Sequence, residues 1–134
     1  MGTVRKELTT RASGQAIWSA IQDIGALHTR LVPGFVIDTR LEPGARLVTF
    51  ANGVIVREPI VTIDETARRL VWSAQGSLTT HYNASVQVFE DKALASRVVW
   101  VADFLPDSAA GAIDAAMSAG MAAMQRALDA LLPE

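Results

Sequence analysis

Residues 108–132 read SAAGAIDAAMSAGMAAMQRALDALL. The stretch is dominated by alanine, the best helix former, has no proline, and carries Ile113 as its one β-branched residue. Its large apolar residues, Ile113, Met117, Met121, Met124, Leu128 and Leu131, recur in steps of three and four and so share one helix face. Asp114, Ser118, Gln125 and Asp129 take the opposite face. The apolar face is mostly methionine and alanine, with Gly120 in its middle, which makes it shallow and adaptable. A long helix covering a partly empty cavity is one reading. Ordinary packing of an alanine-rich amphipathic helix is the other, and periodicity alone does not separate them.

With 134 residues, half of them apolar and 19% charged, the chain is expected to be one domain, residues 1–134, that buries a substantial core without staples. A formal net charge of −2 and the lack of any basic run argue against nucleic acid and against an anionic membrane surface. Without cysteine there are no disulfides, no thiol catalysis and no cysteine metal site. The opening MGTVRKELTTRAS lacks the apolar core of a signal peptide, and no apolar run approaches the ~18 residues of a spanning helix. A cytoplasmic protein without stable membrane insertion is expected, as a monomer or homodimer.

Ahead of the helix the chain alternates short apolar runs with turn signals. Val4 to Arg11 reads as an edge strand, and Ser13 is placed to cap a helix built on Ala16, Ile17, Ala20, Ile21 and Ile24, with Gly25 as its stop and Trp18 at its border. Ala26 to Gly34 has no clear period and is expected to be a loop or broken helical turn. Strands follow at Phe35–Leu41, Arg46–Phe50, Val54–Ile63, Leu70–Ala74, His81–Phe89 and Arg97–Leu105, separated by turns that include Gly76-Ser77 and Glu90-Asp91-Lys92. Strand, helix, about six antiparallel strands and a long helix make an α+β plan, a curved sheet of six to seven strands wrapped round the last helix.

Four stretches carry a family resemblance: QAIWSAIQDIGALHTRLVPG, VREPIVTIDETARRLVW, YNASVQV and VVWVADFLPD. Together with the element order they resemble the polyketide cyclase/dehydrase group of the START-like (SRPBCC) superfamily, relatives of the birch-pollen allergen and the plant abscisic-acid receptors, over nearly the whole chain. The resemblance implies a helix-grip fold whose sheet and last helix enclose an apolar cavity. The chain departs from the family at Arg30-Leu31-Val32-Pro33-Gly34, where a tryptophan is common before the Pro-Gly turn, so the cavity mouth is expected to differ.

Period-two alternation sorts strand residues by face. Tyr82, Ala84, Val86 and Val88 form one set on their strand; Leu70, Trp72 and Ala74, and Val98, Trp100, Ala102 and Phe104, are the inward sets on theirs. The family's inward carboxylate, carried over, places Val54, Val56, Glu58 and Ile60 inside, although the face with Ile55, Arg57, Pro59 and Val61 is almost as apolar. If Ala51-Asn52-Gly53 is a three-residue hairpin loop with a bulge, Phe50 pairs with Val54, Val48 with Val56 and Arg46 with Glu58, an opposed pair that compensates a buried carboxylate. A two-residue loop pairs Leu47 with Glu58 instead.

The expected pocket is therefore walled by Val48, Phe50, Val56, Trp72, Ala84, Trp100, Met117, Gly120, Met121 and Met124, with Arg46, Glu58 and Tyr82 as its polar groups. An ion pair closing one end of the core, with a rim tyrosine, fits the same three residues. His28 and His81 have no partners at metal-ligand spacing, and no phosphate loop, dinucleotide fingerprint or nucleophile elbow occurs, so neither metal nor cofactor is expected. The function expected first is binding of an apolar small molecule, aromatic, polyketide-like or lipid-like. The alternative is a cyclase/dehydrase-type enzyme with Glu58 as general base and Tyr82 as hydrogen-bond donor to a developing enolate. With Arg46 paired to it, Glu58 is not expected to hold a strongly raised pKa. An interaction module gripping a partner's apolar segment ranks behind both.

Overall fold

The computed structural model describes residues 2–76, 78–91 and 95–131. Ser77, Lys92 and Leu132, assigned above to two turns and the helix end, lie outside the described residues. Seven strands, β1 (Gly2–Thr10), β2 (Val36–Glu42), β3 (Ala45–Phe50), β4 (Ile55–Asp64), β5 (Arg69–Ser73), β6 (His81–Asp91) and β7 (Ala95–Leu105), form one antiparallel sheet in the order β1-β7-β6-β5-β4-β3-β2. Helix α1 (Gly14–Gln22) follows β1, and α2 (Ala110–Asp129) closes the chain. This is the helix-grip arrangement, at the upper end of the expected strand count.

Local chemistry explains each boundary. Ser13 caps α1 by accepting the Ala16 N–H at 3.1 Å, and Ile17, Trp18, Ala20 and Ile21 turn inward. The indole of Trp18 donates to Glu65 at 2.9 Å, which ties α1 to the β4–β5 turn. The helix stops at Gln22, three residues before Gly25. The chain then runs through a 3-10 turn (Ile24–Ala26) and a π-helical turn (Leu27–Leu31), the broken helical segment expected there. Its wide turn leaves Leu27 and Leu31 both buried, which a simple loop does not require.

The β3–β4 hairpin has the three-residue register: Arg46 stands opposite Glu58 and Val48 opposite Val56, the Phe50 amide donates to the Val54 carbonyl, and Gly53 has φ +89. A two-residue loop is thereby excluded. Val54 itself lies in the hairpin loop and is half-exposed rather than an inward strand residue.

Rows of inward residues cross the sheet. Leu8, Val98 and Val88 form one, and Val4, Ala102, Ala84, Trp72 and Ile60 another. Across them lies α2, burying Ile113, Met117, Gly120, Met121, Ala123, Met124 and Leu128. A 3-10 turn (Asp107–Ala109) takes in Ser108 and Ala109, the expected first residues of this helix, so it begins at Ala110. It ends at Asp129, which leaves Leu131 in the following turn and exposed. Asp114 pairs with Lys6 and Gln125 donates to the Thr9 carbonyl, fixing one flank of α2 on β1. No described helix is long and apolar enough to cross a membrane.

Candidate functional site

Between the sheet, the 24–36 segment and the N-terminal half of α2 lies a cavity of about 630 Å³. Ala112 and Ala116 stand on the flank of the helix away from β1, where short side chains leave the space unfilled. The mouth is framed by the β3–β4 hairpin (Ala51, Asn52, Val54, Ile55), by Gly76, Leu78 and Thr79 before β6, and by those alanines.

Nine residues expected at a pocket do line it: Arg46, Phe50, Val56, Glu58, Trp72, Tyr82, Trp100, Met117 and Met124. Val48, Ala84, Gly120 and Met121 are buried in the core but off the cavity wall. Ala84 stands between Ala102 and Trp72 in the sheet. At 3.6 residues per turn, Met121 lies about 40° further round α2 than Met117, on the flank held to β1. Gly120 faces the sheet so closely that a Cβ there would lie 2.8 and 2.9 Å from two carbons of the Trp100 ring and 3.2 Å from Phe35. Glycine thus lets the helix sink onto the ring that forms part of the wall.

Sequence reading missed one whole side of the cavity. Leu27, Leu31 and Val32 line it from the segment expected to be a loop or broken helical turn, and Phe35 and Val36 from the start of the strand expected at Phe35–Leu41. Their signal was the i, i+4 leucine pair, blurred by the π-helical turn that follows no standard period. His28 donates to or accepts from Thr39 at 3.1 Å, outside the wall, and His81 is exposed.

Three polar groups converge on the apolar interior. The Arg46 Nε donates to Glu58 Oε1 at 2.9 Å, with side chains only 3% and 9% exposed, so this is a buried ion pair and not a surface one. Arg46 also donates to the Ile24 carbonyl at 3.4 Å, and its guanidinium lies 5.4 Å from the Trp72 ring centre. Trp72 and Trp100 sit beside each other with ring centres 6.4 Å apart. Phe35 and Phe50 meet edge to face at 5.4 Å, joining the 24–36 segment to the hairpin.

Burial pushes the Glu58 carboxyl above the ordinary carboxylate range; the Arg46 charge and hydrogen bond pull it down without cancelling that effect. The sequence expectation had given Arg46 the upper hand, but the depth of the site was not visible in the spacing. Burial also pushes the Tyr82 hydroxyl well above the usual phenol range, and the nearby Glu58 charge pushes the same way, so Tyr82 remains a proton donor. Among the described residues no three His, Asp or Glu side chains gather as a metal site.

The whole-chain arrangement has counterparts in solved structures. The protein XoxI from Bacillus cereus superposes with a TM-score of 0.85 at 20% identity, covering 96% of each chain. A truncated norcoclaurine synthase from Thalictrum flavum gives 0.74 at 19%, covering 99% of this chain and 94% of that one. A START superfamily protein from Mycobacterium smegmatis gives 0.71 at 11%, covering 96% and 94%. At such identities the likeness is one of fold. No curated protein matches the sequence. The family model described as polyketide cyclase / dehydrase and lipid transport matches residues 1–132, and the chain belongs to that family.

Proposed function

We propose that this protein binds an apolar small molecule, aromatic, polyketide-like or lipid-like, as one ligand-binding domain in the cytoplasm, and acts as a monomer or homodimer without nucleic acid. The observation that carries the reading is the combination of a cavity of about 630 Å³ with mostly apolar walls and the polar groups Arg46, Glu58 and Tyr82 among its lining. Burial of the ligand drives binding, and the three groups orient its polar end. Native mass spectrometry of the purified protein tests it: a co-purifying mass is expected. Ala116→Phe, which fills the mouth, should abolish that mass while shifting stability by less than ~1.5 kcal/mol. A ligand that stays bound to this variant would place the binding site elsewhere.

A second reading is favoured by the raised Glu58 pKa beside a protonated Tyr82, and by a fold shared with a synthase. In a cyclase/dehydrase-type reaction Glu58 takes a proton from carbon next to a carbonyl while Tyr82 donates to the oxygen on which negative charge develops. Glu58→Gln separates the two: loss of turnover of a polyketide-type substrate at unchanged affinity selects the enzyme, and weakened binding without any turnover selects the binder.

A further inference from the structure

We propose that the cavity selects electrically neutral ligands carrying a hydroxyl group and rejects both carboxylates and ammonium ions. The inference deepens the binding reading above and rests on it. Among the described residues lining the cavity, Arg46 and Glu58 are the only formal charges, and each already compensates the other at 2.9 Å. The wall is therefore neutral as a whole. A ligand carboxylate entering it has to compete with Glu58 for the single cation, and whichever anion loses is left buried and unpaired. An ammonium group meets the mirror-image problem, because Arg46 already holds the single anion. Desolvating an uncompensated charge costs several kcal/mol, far more than burying a hydroxyl that finds its hydrogen bonds.

Three polar positions on the wall have no partner among the described residues: the buried indole N–H of Trp100, and one atom each on Glu58 and Tyr82. No described residue hydrogen-bonds the second carboxylate oxygen of Glu58, which is an acceptor only. The Tyr82 hydroxyl makes no hydrogen bond to a described residue either, and as an unionised phenol it donates. Both groups line the same cavity. A hydroxyl is both donor and acceptor, so one ligand hydroxyl satisfies both: it donates to Glu58 and accepts from Tyr82. A ketone satisfies Tyr82 alone, and an ether does no better. Trp72 and Trp100, tilted against each other at 47°, line the same cavity and offer aromatic surface to a flat ring bearing that hydroxyl.

Isothermal titration at neutral pH with 2-naphthol, 2-naphthoate and naphthalen-2-ylmethylammonium tests the proposal, since the three share one ring system and differ in charge. Wild type is expected to bind 2-naphthol at least about tenfold more tightly than either ion. Glu58→Gln frees Arg46, so naphthoate affinity should rise about tenfold or more and overtake naphthol. Should that variant fail to fold, Tyr82→Phe serves: naphthol binding falls roughly fivefold while the ions remain excluded. Wild-type affinity for naphthoate equal to that for naphthol overturns the selection for neutrality and leaves the binding reading standing. Unchanged naphthol affinity in Tyr82→Phe overturns the hydroxyl requirement. If none of the three probes binds and no ligand co-purifies, the binding reading itself falls.

Discussion

The two ends of the space under α2 are built from the same sheet and the same helix, yet one is solid and the other hollow. At the closed end Leu8, Val98 and Val88 stand in a row, Leu128 is fully buried, and Thr10 donates to Asp129. At the open end the helix presents Ala112 and Ala116, and the sheet presents an ion pair and a tyrosine. The difference lies in the side chains presented: branched residues pack one end, and alanines of α2 face the hollow at the other. It also teaches that the buried ion pair sits at the hollow end, whereas the closed end buries only the hydroxyl residues Thr10 and Ser96.

Breaking the ion pair at the open end should have the largest effect. Arg46→Met alone leaves Glu58 buried without its partner and is expected to lower unfolding free energy by about 3–5 kcal/mol in urea. Adding Glu58→Leu should restore most of that loss, because an apolar pair of similar volume replaces both desolvated ions. A double variant as unstable as the single would mean that the pair itself, and not the orphaned charge, carries the stability. At the closed end Leu128→Ala is expected to remove about 2–5 kcal/mol while leaving binding in the cavity unchanged. Loss of binding there would show that the two ends are coupled.

Gly120 marks the border between the ends and sharpens the contrast. Alanine at this site gains up to ~1 kcal/mol of helix propensity but presses on the Trp100 ring at 2.8 Å, and overpacking of that kind costs about 1–3 kcal/mol. Gly120→Ala should therefore be destabilising by ~1 kcal/mol and should change ligand affinity, because the displaced ring belongs to the cavity wall.

The smallest effect is one of pH. Glu58 has a higher pKa folded than unfolded, so the folded protein holds this proton more tightly. Its contribution to stability is fully present below the unfolded carboxylate value and is lost as pH rises through the folded one. Compared with the Arg46→Met/Glu58→Leu variant, wild type should gain stability as pH falls across that window, by at most ~1.4 kcal/mol per pH unit. A difference that is flat with pH would mean that Arg46 keeps Glu58 at its unfolded value.

Much of this was readable from the chain. The three- and four-residue steps from Ile113 to Leu128 determined a helix with one buried face, and Ala51-Asn52-Gly53 determined a hairpin whose register sets Arg46 against Glu58. These are local facts: spacing decides which face a side chain takes, and turn length decides register. Family resemblance then supplied the sense in which Glu58 points inward, which the two nearly equal faces of β4 left open.

Tertiary structure alone decided the rest. Which flank of α2 looks into the cavity depends on Lys6 and Thr9 of β1 holding the helix by Asp114 and Gln125, contacts more than a hundred residues apart in the chain. That rotation turns Met121 away, brings Ala112 and Ala116 to the mouth and sets Gly120 on Trp100. The 24–36 segment forms a wall through a π-helical turn that buries Leu27 and Leu31 together and through Phe35 and Val36, which follow it. Burial of an ion is likewise a property of everything packed around it, so the raised Glu58 pKa had no signature in the spacing of Arg46 and Glu58.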